Sequence, residues 1–204
     1  MEKKEKLKDK ASIRFKMLKR KYAEMLNNAL KESKVDKQLI PFLKKVNSLD
    51  KFFTASSCAG RIILLETTTS ESKKESKFIF KKHGKVSFEE IFPKIRDFDA
   101  KDKYLWFKQE PFILHIGTDT LENAKKIITA MRNAGIKRGG IMVAQEGKYI
   151  IELLGTQSLS LLVKYKDFQI CENCFRKQLQ IANKKLERNY RRLKLFEKEF
   201  LKVS

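Results

Sequence analysis

Residues 140–165, GIMVAQEGKYIIELLGTQSLSLLVKY, decide the class of fold. Three short runs rich in Ile, Val, Leu and Tyr are separated by turns containing Gly147 and Gly155, which is the pattern of successive strands. Working upstream, LWFKQEPFILHIG (105–117) reads as two extended pieces broken at Glu110-Pro111, since proline cannot donate to a ladder. IILL (62–65) and KFIF (77–80) add two more strand-like runs, joined by TTTSESKKES (67–76) as a polar hairpin loop.

Helical periodicity frames these strands. Residues 3–32 contain no Gly or Pro, and Leu7, Phe15, Leu18, Tyr22 and Met25 recur at three and four, one apolar stripe on a charged rod. Asp36 is placed to cap a helix through about Val46. Residues 87–96 read as a short helix. Thr118 or Thr120 can cap a helix through Met131 with Ala124, Ile127, Ile128 and Met131 inward. From about Phe168 to Phe200 the chain is helical again, with Phe175, Leu179, Leu186, Tyr190, Leu193 and Phe200 on one stripe. The prediction is an α+β fold: a mixed or antiparallel sheet with long N- and C-terminal helices, and no Rossmann fold. It takes residues 1–204 as a single domain, on which 1–34 and 168–204 pack as basic terminal helices.

The chain has 204 residues, 42% of them hydrophobic, with 15 Phe, enough for a core of ordinary size. Lys+Arg is 46 against Asp+Glu 25, a formal net charge of +21. Residues 1–34 carry 12 basic and 5 acidic side chains and residues 171–204 carry 10 and 4, so a third of the chain holds +13 of that charge. Basic arms of this kind suit phosphate tracking on nucleic acid. Solvated helix faces, or a compositional preference for Lys, would read the same way. Arg188, Arg191 and Arg192 are the candidate phosphate contacts. Three cysteines are too few for a disulfide-built secreted fold. No apolar run approaches the ~20 residues of a membrane span. The expectation is therefore a cytoplasmic protein without a membrane partner.

The chemistry concentrates in Ser56-Ser57-Cys58-Ala59-Gly60-Arg61. It joins two hydroxyls, a thiol, an unhindered backbone and a guanidinium that forks onto carboxylate or phosphate. A turn entering a strand, with Cys58 as a small buried hydrophobe, would use the same residues. His115 lies in FILHI, sharing a face with Ile113, opposite Phe112, Leu114 and Ile116. A lone strand histidine is commonly structural. His83 ends FIFKKH beside Gly84. Cys171 and Cys174 have metal-ligand spacing, but no second pair completes a structural zinc site, so an incidental pair is expected and no metal. Gly139-Gly140 could line a phosphate, although the pair reads more simply as a turn. There is no Walker A sequence and no G-x-G-x-x-G after a strand. Phe52, Phe53, Trp106, Phe107 and Phe112, interleaved with charge, could stack exposed bases.

DKFFTASSCAGRIILLE (50–66) resembles the family of the tRNA wybutosine-synthesising N4-methyltransferase and its archaeal relatives, which carries a near-identical FFT-x-SSCAGRI segment. The family's tryptophan-led strand ending in His is similar to Phe78–His83, with Phe78 in place of Trp. Its F-E-P-F-[IV]-L-H-[IV] segment resembles Gln109–Ile116, its R-N-S-G-I element Arg132–Ile136, and its A-N-x-K-x-E-x-N helix Ala182–Asn189. The matches run in family order from about residue 40 to 196. The resemblance implies transfer of a methyl group from S-adenosylmethionine to N4 of a tricyclic wyosine precursor. That base lies next to the anticodon of phenylalanine tRNA, and no DNA partner is expected. It makes His115, then His83, the candidate base. Ser56, Ser57, Cys58, Gly60, Arg61 and Glu110 are the candidate cofactor or substrate contacts. The alternative from the same charge and aromatics is a non-catalytic basic RNA-binding protein.

Overall fold

The structure, a computed structural model, describes residues 2–68, 70 and 75–204, with side chains from Asp9 onward. Half of the expected 67–76 loop, and the place of Leu7 in the N-terminal stripe, lie outside the described residues; Thr67 and Thr68 belong to the strand before it. The elements in chain order are α1 (Glu2–Lys31), α2 (Ile40–Ser48), β1 (Phe52–Cys58), β2 (Arg61–Thr68), β3 (Lys77–Lys82), α3 (Phe88–Arg96), β4 (Lys103–Glu110), β5 (Ile113–Thr118), α4 (Leu121–Asn133), β6 (Arg138–Gln145), β7 (Lys148–Leu154), β8 (Leu159–Tyr165), β9 (Phe168–Gln169) and α5 (Glu172–Val203). The class is α+β and every strand pair is antiparallel. The strands sort into two sheets, in the orders β1-β5-β7-β6 and β3-β2-β4-β8-β9. The chain divides into two compact units.

The first unit comprises Met1–Ala59, Phe112–Thr156 and Arg191–Ser204. On one face of its four-stranded sheet, Phe53 and Ile150 pack with Phe15, Leu18 and Tyr22 of α1. Tyr22 stacks on Phe53 at 5.0 Å between ring centroids. Gly117 lies opposite Phe53 in the ladder, and a Cβ there would come within 2.1 Å of the Phe53 ring. The glycine is the space the ring occupies. A second aromatic cluster joins Phe42 of α2, Phe52 of β1, and Phe196 and Phe200 of α5 at centroid separations of 5.1–5.9 Å. Thr120 caps α4, accepting from the Asn123 N–H, and Ala130 is buried where Ile128 was expected inward. Met25, assigned to the α1 stripe, is instead 50% exposed. Gly139 and Gly140 belong to β6, paired with Leu153 and Glu152, and form no turn.

The second unit comprises Gly60–Pro111 and Gln157–Tyr190. Its core gathers Ile62 and Leu64 of β2, Ile91, Phe92 and Ile95 of α3, Phe107 of β4 and Val163 of β8 around Phe175, Leu179 and Leu186 of α5. Phe175 is fully buried within reach of the Phe88, Phe92 and Phe107 rings. Truncating such a ring to Ala costs about 3–5 kcal/mol. Ser87 and Glu90 form a reciprocal capping box on α3. The two asparagines of the Ala182–Asn189 stretch clamp loop backbone. Asn183 exchanges two hydrogen bonds with Val86, and Asn189, fully buried, does the same with Gln157. The helix predicted from Phe168 begins at Glu172, because Phe168 and Gln169 pair with Tyr165 and Lys164 instead. Cys171 and Cys174, expected as an incidental pair, are joined in a disulfide across the first turn of α5.

Candidate active site

The conspicuous polar line of the first unit starts from an irregularity in β1. Phe52, Phe53 and Thr54 pair with Thr118, Gly117 and Ile116, but a β-bulge then admits one extra residue, and Ser56 lies across from His115. Without that residue Ala55 would take the place, so the bulge delivers the hydroxyl to the imidazole. Ser56 Oγ is 2.6 Å from His115 Nδ1. On the next strand, β7, Glu152 pairs with His115, and its Oε2 is 3.0 Å from His115 Nε2. An ionised carboxylate can only accept, so in a neutral imidazole at this place Nε2 carries the proton and Nδ1 accepts from the serine hydroxyl. Ser56 is exposed, whereas the His115 and Glu152 side chains are 25% and 22% exposed. Ser56 and Ser57 line a cleft of about 250 Å³ with Tyr22, Met25, Leu26 and Lys34.

Ser57 and Cys58 follow on β1, opposite Leu114 and Ile113. Cys58 is half-buried and in no disulfide. Asp36, expected to cap α2, does something else: α2 is preceded by Leu39 with no side-chain cap, and Asp36 Oδ2 accepts from the Ala59 N–H at 2.6 Å. The carboxylate thus fixes the backbone just after Cys58. A larger cavity of the first unit, about 890 Å³, is lined by Phe15 of the α1 stripe and by Lys16, Lys19, Lys51, Asp119 and Glu146, which were not singled out from sequence. Burial pushes the Lys19 ammonium below its usual range, and it donates to the Leu49 and Phe52 carbonyls. Burial opposes ionisation of Asp119, but bonds from Asn123, Lys51 and Thr118 outweigh it and hold the carboxyl low.

The second unit carries a different polar group. Gly60 has φ +92, a conformation that favours glycine, and leads into β2. Arg61 pairs with Glu110 across the β2–β4 ladder, Nε to Oε2 at 2.6 Å. Its guanidinium also sits 5.0 Å from the centroid of Phe78, whose ring is 47% exposed, and Lys81 Nζ is 5.6 Å from the same ring. His83 is exposed just beyond the end of β3. The structure therefore brings Ser56 to His115 and Arg61 to Glu110. The same contacts add Glu152 and Phe78. Among the terminal arginines, Arg188, Arg191 and Arg192 are all exposed, and Arg192 Nη1 also donates to the Ala134 carbonyl at the end of α4.

A family model described as Methyltransferase TYW3 matches residues 12–202. A Pyrococcus furiosus protein named tRNA(Phe) 7-((3-amino-3-carboxypropyl)-4-demethylwyosine(37)-N(4))-methyltransferase 1 is 34% identical over 187 residues, 91% of this chain and 94% of that one. A zebrafish (Danio rerio) protein named tRNA wybutosine-synthesizing protein 3 homolog is 30% identical over 170 residues, 81% of this chain and 66% of its own. A solved structure from Pyrococcus horikoshii superposes with a TM-score of 0.86 at 32% identity, covering 93% of this chain and 97% of the other.

Proposed function

Because the chain belongs to the family of the methyltransferase TYW3, we propose that it methylates N4 of a 4-demethylwyosine-type base at position 37 of phenylalanine tRNA. The observation that carries this reading is 34% identity, over 91% of the chain, with a relative named for that reaction. S-adenosylmethionine is the proposed methyl donor; when bound it supplies an electrophilic methyl carbon on a sulfonium. The donor set of the second unit suits such a molecule. Arg61, steadied by Glu110, offers a fork for a carboxylate, and the exposed face of Phe78 offers a surface for a purine ring.

Methyl transfer to nitrogen is a displacement that the protein accelerates mainly by alignment and exclusion of water. Loss of the nitrogen's proton calls for a base, and an imidazole suits neutral pH. His115 fits that part, because partners at both ring nitrogens hold its orientation; His83 is the second candidate. Ser57, Cys58 and Gly60 serve binding or packing, and Cys58 need form no covalent intermediate. The target base lies in a loop, so turning it out of its stack costs less than from a duplex. The basic ends, with Arg188 and Arg191 exposed, track tRNA phosphates. The reaction takes place in the cytoplasm; no described helix is long and apolar enough to cross a membrane.

The test is to incubate the purified protein with methyl-labelled S-adenosylmethionine and tRNA(Phe) carrying the demethylated precursor. Label is expected in the tricyclic nucleoside. A folded protein that leaves it unlabelled, and that shows no heat on titration with S-adenosylmethionine, would be an RNA-binding protein without the activity.

A further inference from the structure

Resting on the methyl-transfer reading, we propose that the proton leaves the target nitrogen through Ser56, with His115 as its acceptor and Glu152 as the residue that holds and balances the imidazole. The argument starts from access. Both ring nitrogens of His115 are already engaged, Nδ1 by Ser56 at 2.6 Å and Nε2 by Glu152 at 3.0 Å. A substrate nitrogen cannot reach either one without displacing a partner. The exposed member of the line is Ser56, which also borders the cleft beside α1. The three residues come from neighbouring strands in one row of the ladder, Ser56 opposite His115 and His115 opposite Glu152, so their order is built into the backbone.

The proton count closes. The target nitrogen bonds to the methyl carbon as the carbon–sulfur bond breaks, with that bonding pair remaining on sulfur. The nitrogen keeps its N–H pair and passes the proton to Ser56 Oγ, while the serine's own hydroxyl proton moves to His115 Nδ1. The imidazolium that results keeps its Nε2 proton against the Glu152 carboxylate, which neutralises the new charge. Water takes the extra proton after the product leaves. Ser56 is then the catalytic residue in contact with substrate, and Glu152 is a positioning residue. No sequence motif pointed to Glu152; its only signal was a carboxylate inside the apolar run YIIELL.

The experiment combines methyl-transfer kinetics with nitrogen NMR of the imidazoles, which is simple here because the chain has 2 His. In the wild type, His115 should show the Nε2-protonated neutral tautomer without any ligand. Ser56→Ala should lower kcat by about 100-fold or more with little change in KM for tRNA, and Ser56→Thr should restore most of it. Glu152→Ala should lose the tautomer bias and lower kcat by about 10- to 100-fold. Glu152→Gln, which can still accept from Nε2, should keep the tautomer yet lose rate. Wild-type kcat in folded Ser56→Ala, or an unaltered tautomer in Glu152→Ala, overturns the relay while leaving the methyltransferase reading intact. A wild-type protein that transfers no methyl group overturns that reading and the relay with it.

Discussion

Each unit carries one polar line across its strands, and the two lines differ in kind. Ser56, His115 and Glu152 in the first unit make a hydrogen-bonded chain of groups whose chemistry allows proton exchange. Arg61, Glu110 and Phe78 in the second unit make a permanent charge, its counter-charge and an aromatic face. A guanidinium does not titrate under working conditions, and a phenyl ring carries no proton to give. The contrast separates chemistry from holding. On the proposed reading, the groups that change state are strung along one sheet, and those that stay the same sit on the other.

The sharpest way to break this contrast is His115→Ala. It should reduce kcat by about 100- to 10,000-fold while tRNA binding stays near wild type. A loss confined to KM in steady-state assays would put His115 on the holding side. Arg61→Ala should cost about 2–4 kcal/mol in kcat/KM, mostly through weaker binding, if Arg61 pairs a carboxylate or phosphate in a dry site. Near-normal kinetics in the folded variant would remove Arg61 from the site. Neutralising Arg188 and Arg191 should weaken tRNA binding and flatten the salt dependence by roughly one unit per lost phosphate contact, with kcat at saturating tRNA unchanged. An unaltered slope would make the excess charge a solvated face. Arg192→Ala should act differently, lowering stability by about 1 kcal/mol through the lost bond to Ala134, as thermal unfolding would show. Smallest of all should be Cys58→Ser, a modest rate loss; abolished turnover would instead indicate a thiol mechanism.

Much of this was legible in the residues. Alternation around Phe112, Leu114 and Ile116 placed His115 on the opposite face, and Pro111 marked the break between β4 and β5. The resemblance singled out Asn183 and Asn189, which the fold explains as clamps on loop backbone. Glu152 was illegible, because a carboxylate in a strand reads as solvent-facing until the ladder shows what lies beside it. Asp36 was misread for a related reason. An Asp before a helix suggests a cap, but a backbone N–H far along the chain took its side chain. The division into two units has no signature in composition. The chain passes from one to the other near Ala59, Pro111, Thr156 and Tyr190, at points without a Gly-, Ser- or Pro-rich linker.

The bulge in β1 has an arithmetic consequence. Phe53 and Ser56 stand three residues apart, an odd interval, yet their partners Gly117 and His115 stand two apart. A strand counted in twos would assign Phe53 and Ser56 to opposite sides; the extra residue reverses parity and returns them to the same one. A chain shortened by one residue at Ala55 could keep serine and histidine face to face by straightening the strand. A chain shortened at Ser57 would keep the bulge and throw Cys58, the last position of β1, onto the wrong side. Tolerance to deletion should therefore change between neighbouring codons, and a scan of single-residue deletions across 54–58 would read that phase directly.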